Sequence, residues 1–141
     1  RMLTARVETG EPYMLFSDTV NNAIPEQQKK LGLSVKTSNL CVEITLPTGI
    51  DHNGVDRTAV CCLSSVNLKH FDVWSKNPMF VEDIMRFLDN VLQDFIDRAP
   101  DDMDRAKYAA MRERSVGLGA MGFHTYLQTK GIPFGAPISK V

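Results

Sequence analysis

The feature that most constrains the fold is an apolar, strand-like segment followed by a strongly amphipathic helix. Residues 58–68 (TAVCCLSSVNL) carry apolar side chains at positions that would face both sides of a sheet, which is typical of a strand covered on two faces. Residues 78–98 repeat apolar side chains at helical spacing, behind Asn77 and Pro78, which suit the start of a helix. A strand that leads into a helix without hairpin spacing indicates an α/β fold.

Three other segments complete the predicted organisation. The charged residues 102–114, after Pro100, predict a second helix, and residues 118–130 predict a third that ends at Gly131. Residues 37–46 are extended in character and are closed by a proline. We therefore expect one continuous α/β unit over residues 1–141.

Composition and charge exclude several functional classes. Of 141 residues, 43% are hydrophobic and 23% are charged, which fits one globular unit or part of a larger one. A net charge of −1 gives no basis for binding a nucleic acid polymer or a membrane surface, and no apolar run is long enough to cross a bilayer. Because no signal-peptide pattern opens the chain, we expect a cytoplasmic location. We also expect a fragment, because the chain begins at Arg1 without an initiator Met.

An amide, a thiol and a carboxylate occupy alternate positions within residues 37–46. In an extended chain, Asn39, Cys41 and Glu43 would share one face, while the residues between them are apolar. An amide, a thiol and a carboxylate on one face would suit an active site in which the thiol reacts beside an acid. Alternation by itself, however, shows only amphipathicity. The other interpretation is a half-buried edge strand whose polar face contacts water, and the residues alone leave both open.

Three cysteines form the second group of candidates. Cys61 and Cys62 are adjacent, and because neighbouring strand residues point to opposite faces, at most one of them can share a site with Cys41. A zinc site needs four ligands at short paired spacings, whereas the three histidines are scattered along the chain. We therefore predict no metal site in this chain.

Residues 117–122 (GLGAMG) match the pattern of a dinucleotide-binding loop, but their context contradicts that function. The pattern must follow a strand, whereas a charged, helix-forming stretch, residues 112–114, precedes it. No acidic residue follows Glu113, although a ribose would require one. We interpret the glycines as close-packing positions at the start of a helix.

Several segments together resemble the large, catalytic subunit of class I ribonucleotide reductases. Residues 38–48 (SNLCVEITLPT) and 59–68 (AVCCLSSVNL) are similar to the finger loop of that family and to the strand beside it. Residues 8–13 and 114–119 are similar to flanking segments, in the same order. The resemblance implies part of a ten-stranded α/β barrel, incomplete in this chain, with a central finger loop at about residues 37–48.

The resemblance also implies a role for each candidate residue. Cys41 would hold the transient thiyl radical that abstracts the 3′ hydrogen of the substrate ribose, and Glu43 would be the general base for the 3′ hydroxyl. Asn39 would hydrogen-bond the substrate hydroxyls, and Leu40 would complete the substrate-binding set. Cys61 would be one of two thiols that reduce the substrate and end as a disulfide, with its partner cysteine outside this chain.

Partners and cofactors follow from the same resemblance. The substrate would be a ribonucleoside diphosphate, the radical would come from a metal-containing small subunit, and thioredoxin or glutaredoxin would be the external reductant. The large subunit would form a homodimer and bind ATP- or dATP-type effectors outside this segment. The segment alone would bind no cofactor and would be inactive. Two alternatives stay open: an adenosylcobalamin-dependent ribonucleotide reductase, and a non-enzymatic α/β interaction module.

Overall fold

The computed structural model describes residues 1–140, which divide into two compact units. The first unit consists of Arg1–Val60 and Pro100–Ala109. The second consists of Cys61–Ala99 together with the chain from Ala110 onward. The candidate residues are therefore divided as well, since Asn39, Cys41 and Glu43 belong to the first unit and Cys61 to the second.

The first unit is built from short helices, a long loop and a small hairpin. Its helices in the first sixty residues are α1 (Met2–Thr9), α2 (Ser17–Ala23) and α3 (Glu26–Lys30). Strands β1 (Gly49–Ile50) and β2 (Asp56–Arg57) pair antiparallel. The buried apolar side chains of this unit include Ile24, Leu33, Val35, Ala106 and Ala109.

The second unit is built on a parallel pair of strands with a long helix packed against both. Strand β3 (Cys62–Asn67) pairs with a later strand, β4 (Val116–Met121). Parallel strands require a long crossover connection. In chain order the connection contains α4 (Phe71–Trp74), α5 (Phe80–Arg98) and α6 (Asp104–Glu113), and α7 (Phe123–Thr129) follows β4. Helix α5 contacts both strands.

Helix α5 forms where the sequence predicts a helix, but its apolar stripe is only partly buried. The helix begins at Phe80 without a side-chain cap, two residues later than predicted, and Asn77 Oδ1 accepts from the backbone N–H of Met79 at 3.0 Å in the turn before it. The buried side chains are Leu88, Leu92 and Ile96. Apolar side chains at helical spacing predict that the whole stripe is core. This prediction is wrong, because Val81, Met85 and Val91 are exposed. No helix among residues 1–140 combines the length and apolar character that a membrane span requires.

The predicted helix over residues 118–130 is wrong in its N-terminal half. Val116–Met121 is strand β4, and helix α7 begins only at Phe123. Gly117 lies opposite Leu63, and a Cβ atom on Gly117 would lie 2.5 Å from Leu63 Cδ2. The glycine therefore leaves room for the side chain of the neighbouring strand. Pairing with strand β3, which is distant in sequence, made this segment a strand, although its local pattern favours the start of a helix.

The strand predicted over residues 58–68 is shorter and less covered than expected. It begins at Cys62, and Leu63 is 58% exposed. Within residues 1–140, sheet pairing and helix α5 do not cover β3 on both faces. The apolar pattern of this strand indicates a fully enclosed position, which requires more neighbours than this pair of strands provides.

Candidate functional site

The loop that carries Asn39, Cys41 and Glu43 is a turn rather than an extended strand. The structure assigns no strand within residues 37–48, and residues 40–42 form a turn or bend. Val42 has a φ of 65°, and its backbone N–H donates to the carbonyl of Asn39 at 3.1 Å. The predicted extended conformation of residues 37–46 is therefore wrong at its centre.

Local hydrogen bonds from side chains account for this turn. Asn39 Oδ1 accepts a hydrogen bond from the backbone N–H of Ile44 at 3.0 Å. Ser38 Oγ donates to the carbonyl of Ile44 at 2.6 Å. Ser and Asn side chains compete with strand pairing in this way, because they offer the backbone a partner that is close in sequence. The two side chains close the loop and bring its two arms together.

The turn joins two of the predicted site residues directly. Asn39 Nδ2 donates to Glu43 Oε1 at 2.6 Å, and both side chains are exposed. Cys41 is exposed at the turn between them, and Leu40 is 90% exposed. A tight turn, not strand alternation, thus brings the Asn39 amide to the Glu43 carboxylate, and Cys41 lies within that turn.

Contacts with helix α2 and with the end of the loop hold its base. Asn21 Oδ1 accepts from the backbone N–H of Val35 at 2.8 Å, and Asn21 Nδ2 donates to the carbonyl of Val35 at 3.0 Å. The backbone N–H of Thr48 donates to the carbonyl of Ser34 at 3.0 Å. The Oγ1 atom of Thr48 accepts from the backbone N–H of Lys36 at 2.9 Å. The sequence gives little sign of this role for Asn21, since the local signal is an asparagine within a helix, where asparagine is a weak helix former.

Cys61 lies in the second unit, half-buried, immediately before strand β3. Burial, together with the neighbouring Cys62, raises the pKa of the Cys61 thiol above its usual value of 9.0. Cys61 is therefore a protonated thiol at neutral pH. Because Cys41 belongs to the other unit, the expectation that the sulfurs of Cys41 and Cys61 share a pocket stays a prediction.

The main polar cluster that the sequence did not predict surrounds a buried carboxylate, Asp51, in the β1–β2 hairpin. Asp51 Oδ2 accepts from Arg57 Nε at 2.9 Å and from the hydroxyl of Tyr108 at 2.8 Å. Asp51 Oδ1 accepts from the backbone N–H groups of Asn53 at 2.8 Å and Val55 at 3.2 Å. Burial alone would raise the pKa of Asp51, but these hydrogen bonds hold it well below its usual range.

Neither a metal cluster nor a nucleotide-binding turn stands out in the described part of the chain. Among residues 1–140, no group of three or more His, Cys, Asp and Glu side chains is arranged to hold a metal ion. The glycine-rich residues 117–122 lie mostly within strand β4, not in the turn between a strand and a helix where a pyrophosphate binds. Gly122 does precede α7, but Asn67 Oδ1 occupies the space beside it.

Comparison with known proteins shows one consistent family. Residues 1–140 match the family described as the ribonucleotide reductase barrel domain. The chain is 53% identical over 130 residues to the ribonucleoside-diphosphate reductase large subunit of Invertebrate iridescent virus 3, covering 92% of this chain and 20% of that protein. It is 33% identical over 143 residues to the subunit of the same name from Trypanosoma brucei brucei, covering 99% of this chain and 16% of that protein.

A solved structure shows the same likeness in three dimensions. The Actinobacillus ureae class Id ribonucleotide reductase alpha subunit matches with a TM-score of 0.78 and 39% identity, covering 98% of this chain and 26% of that one. The chain therefore belongs to the ribonucleotide reductase barrel domain family, which confirms the predicted family and the α/β fold class. The chain spans about a fifth of the length of the curated relatives it matches.

Proposed function

We propose that this chain is the part of a ribonucleotide reductase large subunit that carries the radical cysteine. Within the whole subunit it would serve the reduction of ribonucleoside diphosphates to 2′-deoxyribonucleotides. The observation that carries this proposal is the turn at residues 38–44, where the Asn39 amide bonds the Glu43 carboxylate and Cys41 is exposed between them.

The turn supplies the groups that radical chemistry on a ribose requires. A thiyl radical on Cys41 would take the 3′ hydrogen atom and become a thiol. Glu43 would accept the proton of the 3′ hydroxyl, because a carboxylate within hydrogen-bond reach can act as a general base. Asn39 would hydrogen-bond the substrate hydroxyls and orient the carboxylate. The exposure of Leu40 leaves this end of the loop open to a substrate.

Cys61 would supply half of the reducing power. Two thiols give up two hydrogen atoms and form one disulfide, which provides the two electrons for the reduction. The 2′ hydroxyl would leave as water, and a C–H bond would replace it. A thiol with the usual pKa of 9.0 is already protonated at neutral pH, and burial raises the pKa of Cys61 further, so Cys61 has a hydrogen to give. The second thiol would come from a cysteine outside this chain.

We also propose the partners that such a subunit requires. A metal-containing small subunit would generate the radical, and thioredoxin or glutaredoxin would reduce the disulfide between turnovers. The relatives are named as large or alpha subunits, which supports an enzyme of more than one kind of subunit. A large-subunit homodimer, ATP- or dATP-type effectors and a cytoplasmic location complete the proposal.

Substitution of Cys41 tests the proposal in the full-length large subunit assayed with its small subunit. We expect Cys41→Ser to abolish deoxynucleotide formation without changing the thermal unfolding midpoint, because the side chain is exposed. The matched control is Cys62→Ser, which should retain turnover. Cys61→Ser should block steady-state turnover. If Cys41→Ser still forms deoxynucleotides, the radical assignment is wrong.

A further inference from the structure

Ser38 lies beside the predicted site residues and contacts the loop at the point where it closes. Its side chain is half-buried, and Oγ lies 2.6 Å from the carbonyl oxygen of Ile44 and 3.1 Å from Asn39 Oδ1. A hydroxyl has a single hydrogen to donate, and the shorter contact assigns it to Ile44. Ser38 therefore holds the carbonyl of the residue that follows Glu43.

The same peptide is held at its other polar group by the neighbouring side chain. The backbone N–H of Ile44 donates to Asn39 Oδ1 at 3.0 Å. Because that oxygen must accept, the amide nitrogen of Asn39 is directed to Glu43, to which it donates at 2.6 Å. Fixing Ile44 thus fixes both the path of the chain at Glu43 and the orientation of the Asn39 amide.

We propose that Ser38 is a positioning residue for the reaction carried by this loop. Its hydroxyl keeps Ile44 in place, and Ile44 keeps Asn39 turned so that its amide meets Glu43. Ser38 bonds neither Cys41 nor the Glu43 carboxylate, so it acts through Asn39 and Ile44. This inference rests on the proposed function, because it concerns the geometry of the proposed general base.

The test compares Ser38→Ala with Ser38→Thr in the full-length large subunit with its small subunit. Ser38→Ala should lower kcat by about tenfold with KM within about twofold of wild type, because a small misplacement of reacting groups costs rate more than binding. Ser38→Thr keeps the hydroxyl and should restore most of kcat. Thr37→Ala is the matched control, because Thr37 Oγ1 only reaches the carbonyl of Ser38 at 3.4 Å from an exposed position.

A structural readout accompanies the kinetics. A crystal structure of the Ser38→Ala subunit should show the contact between Asn39 Nδ2 and Glu43 Oε1 lengthened beyond 3.5 Å, while the Thr variant keeps it. A wild-type kcat in Ser38→Ala, an equal loss in Thr37→Ala, or a loss of kcat that follows a lower unfolding midpoint would each overturn the inference.

The outcome for Cys41→Ser in the same assay separates the two proposals. If that variant is inactive while Ser38→Ala behaves as wild type, the proposed function stands and the role of Ser38 is rejected. If Cys41→Ser is active, the proposed function itself fails, and the role of Ser38 fails with it.

Discussion

The turn at residues 38–44 and the hairpin at residues 49–57 each contain a carboxylate, and the two have opposite surroundings. Glu43 is exposed and, within residues 1–140, makes one hydrogen bond, to the amide of Asn39. Asp51 is 7% exposed and accepts hydrogen bonds from two side chains and two backbone N–H groups. Both belong to the first unit.

Under the proposed function, the difference separates a carboxylate that stabilises the fold from one that reacts. A carboxylate whose lone pairs are all occupied cannot accept a substrate proton, and its hydrogen bonds hold the pKa of Asp51 low. A carboxylate held by one amide keeps the capacity that a general base needs. The hairpin directly follows the loop in sequence, and the buried pair of Asp51 and Arg57 ties its two strands together. Rigid elements position reactive groups more precisely than free loops.

The largest effect is expected from Glu43→Gln in the full-length enzyme. The carboxamide keeps an oxygen that can accept from Asn39, but it cannot serve as a base. We expect kcat to fall by about 10²- to 10⁴-fold, the usual contribution of a general base. Hydrogen exchange in peptides that cover residues 49–58 should not change. Near-normal turnover would remove Glu43 from the mechanism and erase the contrast with Asp51.

Asp51→Ala should have the opposite effect, a change in the hydrogen exchange of the hairpin. It removes the carboxylate that faces the buried guanidinium of Arg57 at 2.8 Å. Breaking a buried ion pair is strongly destabilising, so we expect amide exchange in peptides covering residues 49–58 to accelerate by at least about 100-fold. Hydrogen-exchange mass spectrometry measures this directly. Exchange that stays as slow as in the wild type would show that the hairpin does not depend on Asp51.

A smaller effect is expected from Tyr108→Phe. The change deletes the hydroxyl that donates to Asp51 Oδ2 and accepts from Asn53 Nδ2 at 3.2 Å. The ring remains, and its centroid lies 5.3 Å from the guanidinium carbon of Arg57. Losing one hydrogen bond to a charged group and one to an exposed amide should speed exchange of the same peptides by about tenfold. An effect as large as that of Asp51→Ala would contradict this ranking.

The smallest effect concerns pH. The folded-state pKa of Asp51 lies below its usual value of 3.8, so its stabilisation is complete above that value and is lost as the pH falls below it. The difference in protection between wild type and Asp51→Ala should therefore stay constant between about pH 7 and pH 5. Comparing exchange at these two pH values, each corrected for its intrinsic rate, tests the prediction. A difference that shrinks within this range would mean that another group titrates in the hairpin.

Local patterns predicted part of the fold well. Helix α5 follows from apolar spacing, because this signal acts within a few residues. Strand β4 could not be predicted in this way. Its glycines give no strand signal, and they are explained only by the side chains of β3 that lie beside them, about fifty residues earlier in the chain.

The candidate site shows the same distinction between what the local sequence predicts and what the folded structure decides. The sequence by itself determined which chemical groups are present: an amide, a thiol and an acid two residues apart, with a further cysteine later in the chain. Only the folded structure decided that a turn closed by Ser38 joins the amide to the acid, that Asn21 holds the base of the loop, and that Asp51 is buried. The identity of a side chain fixes its chemistry, whereas the partners of Asn21 and of the buried Asp51 come from segments that are more distant in sequence.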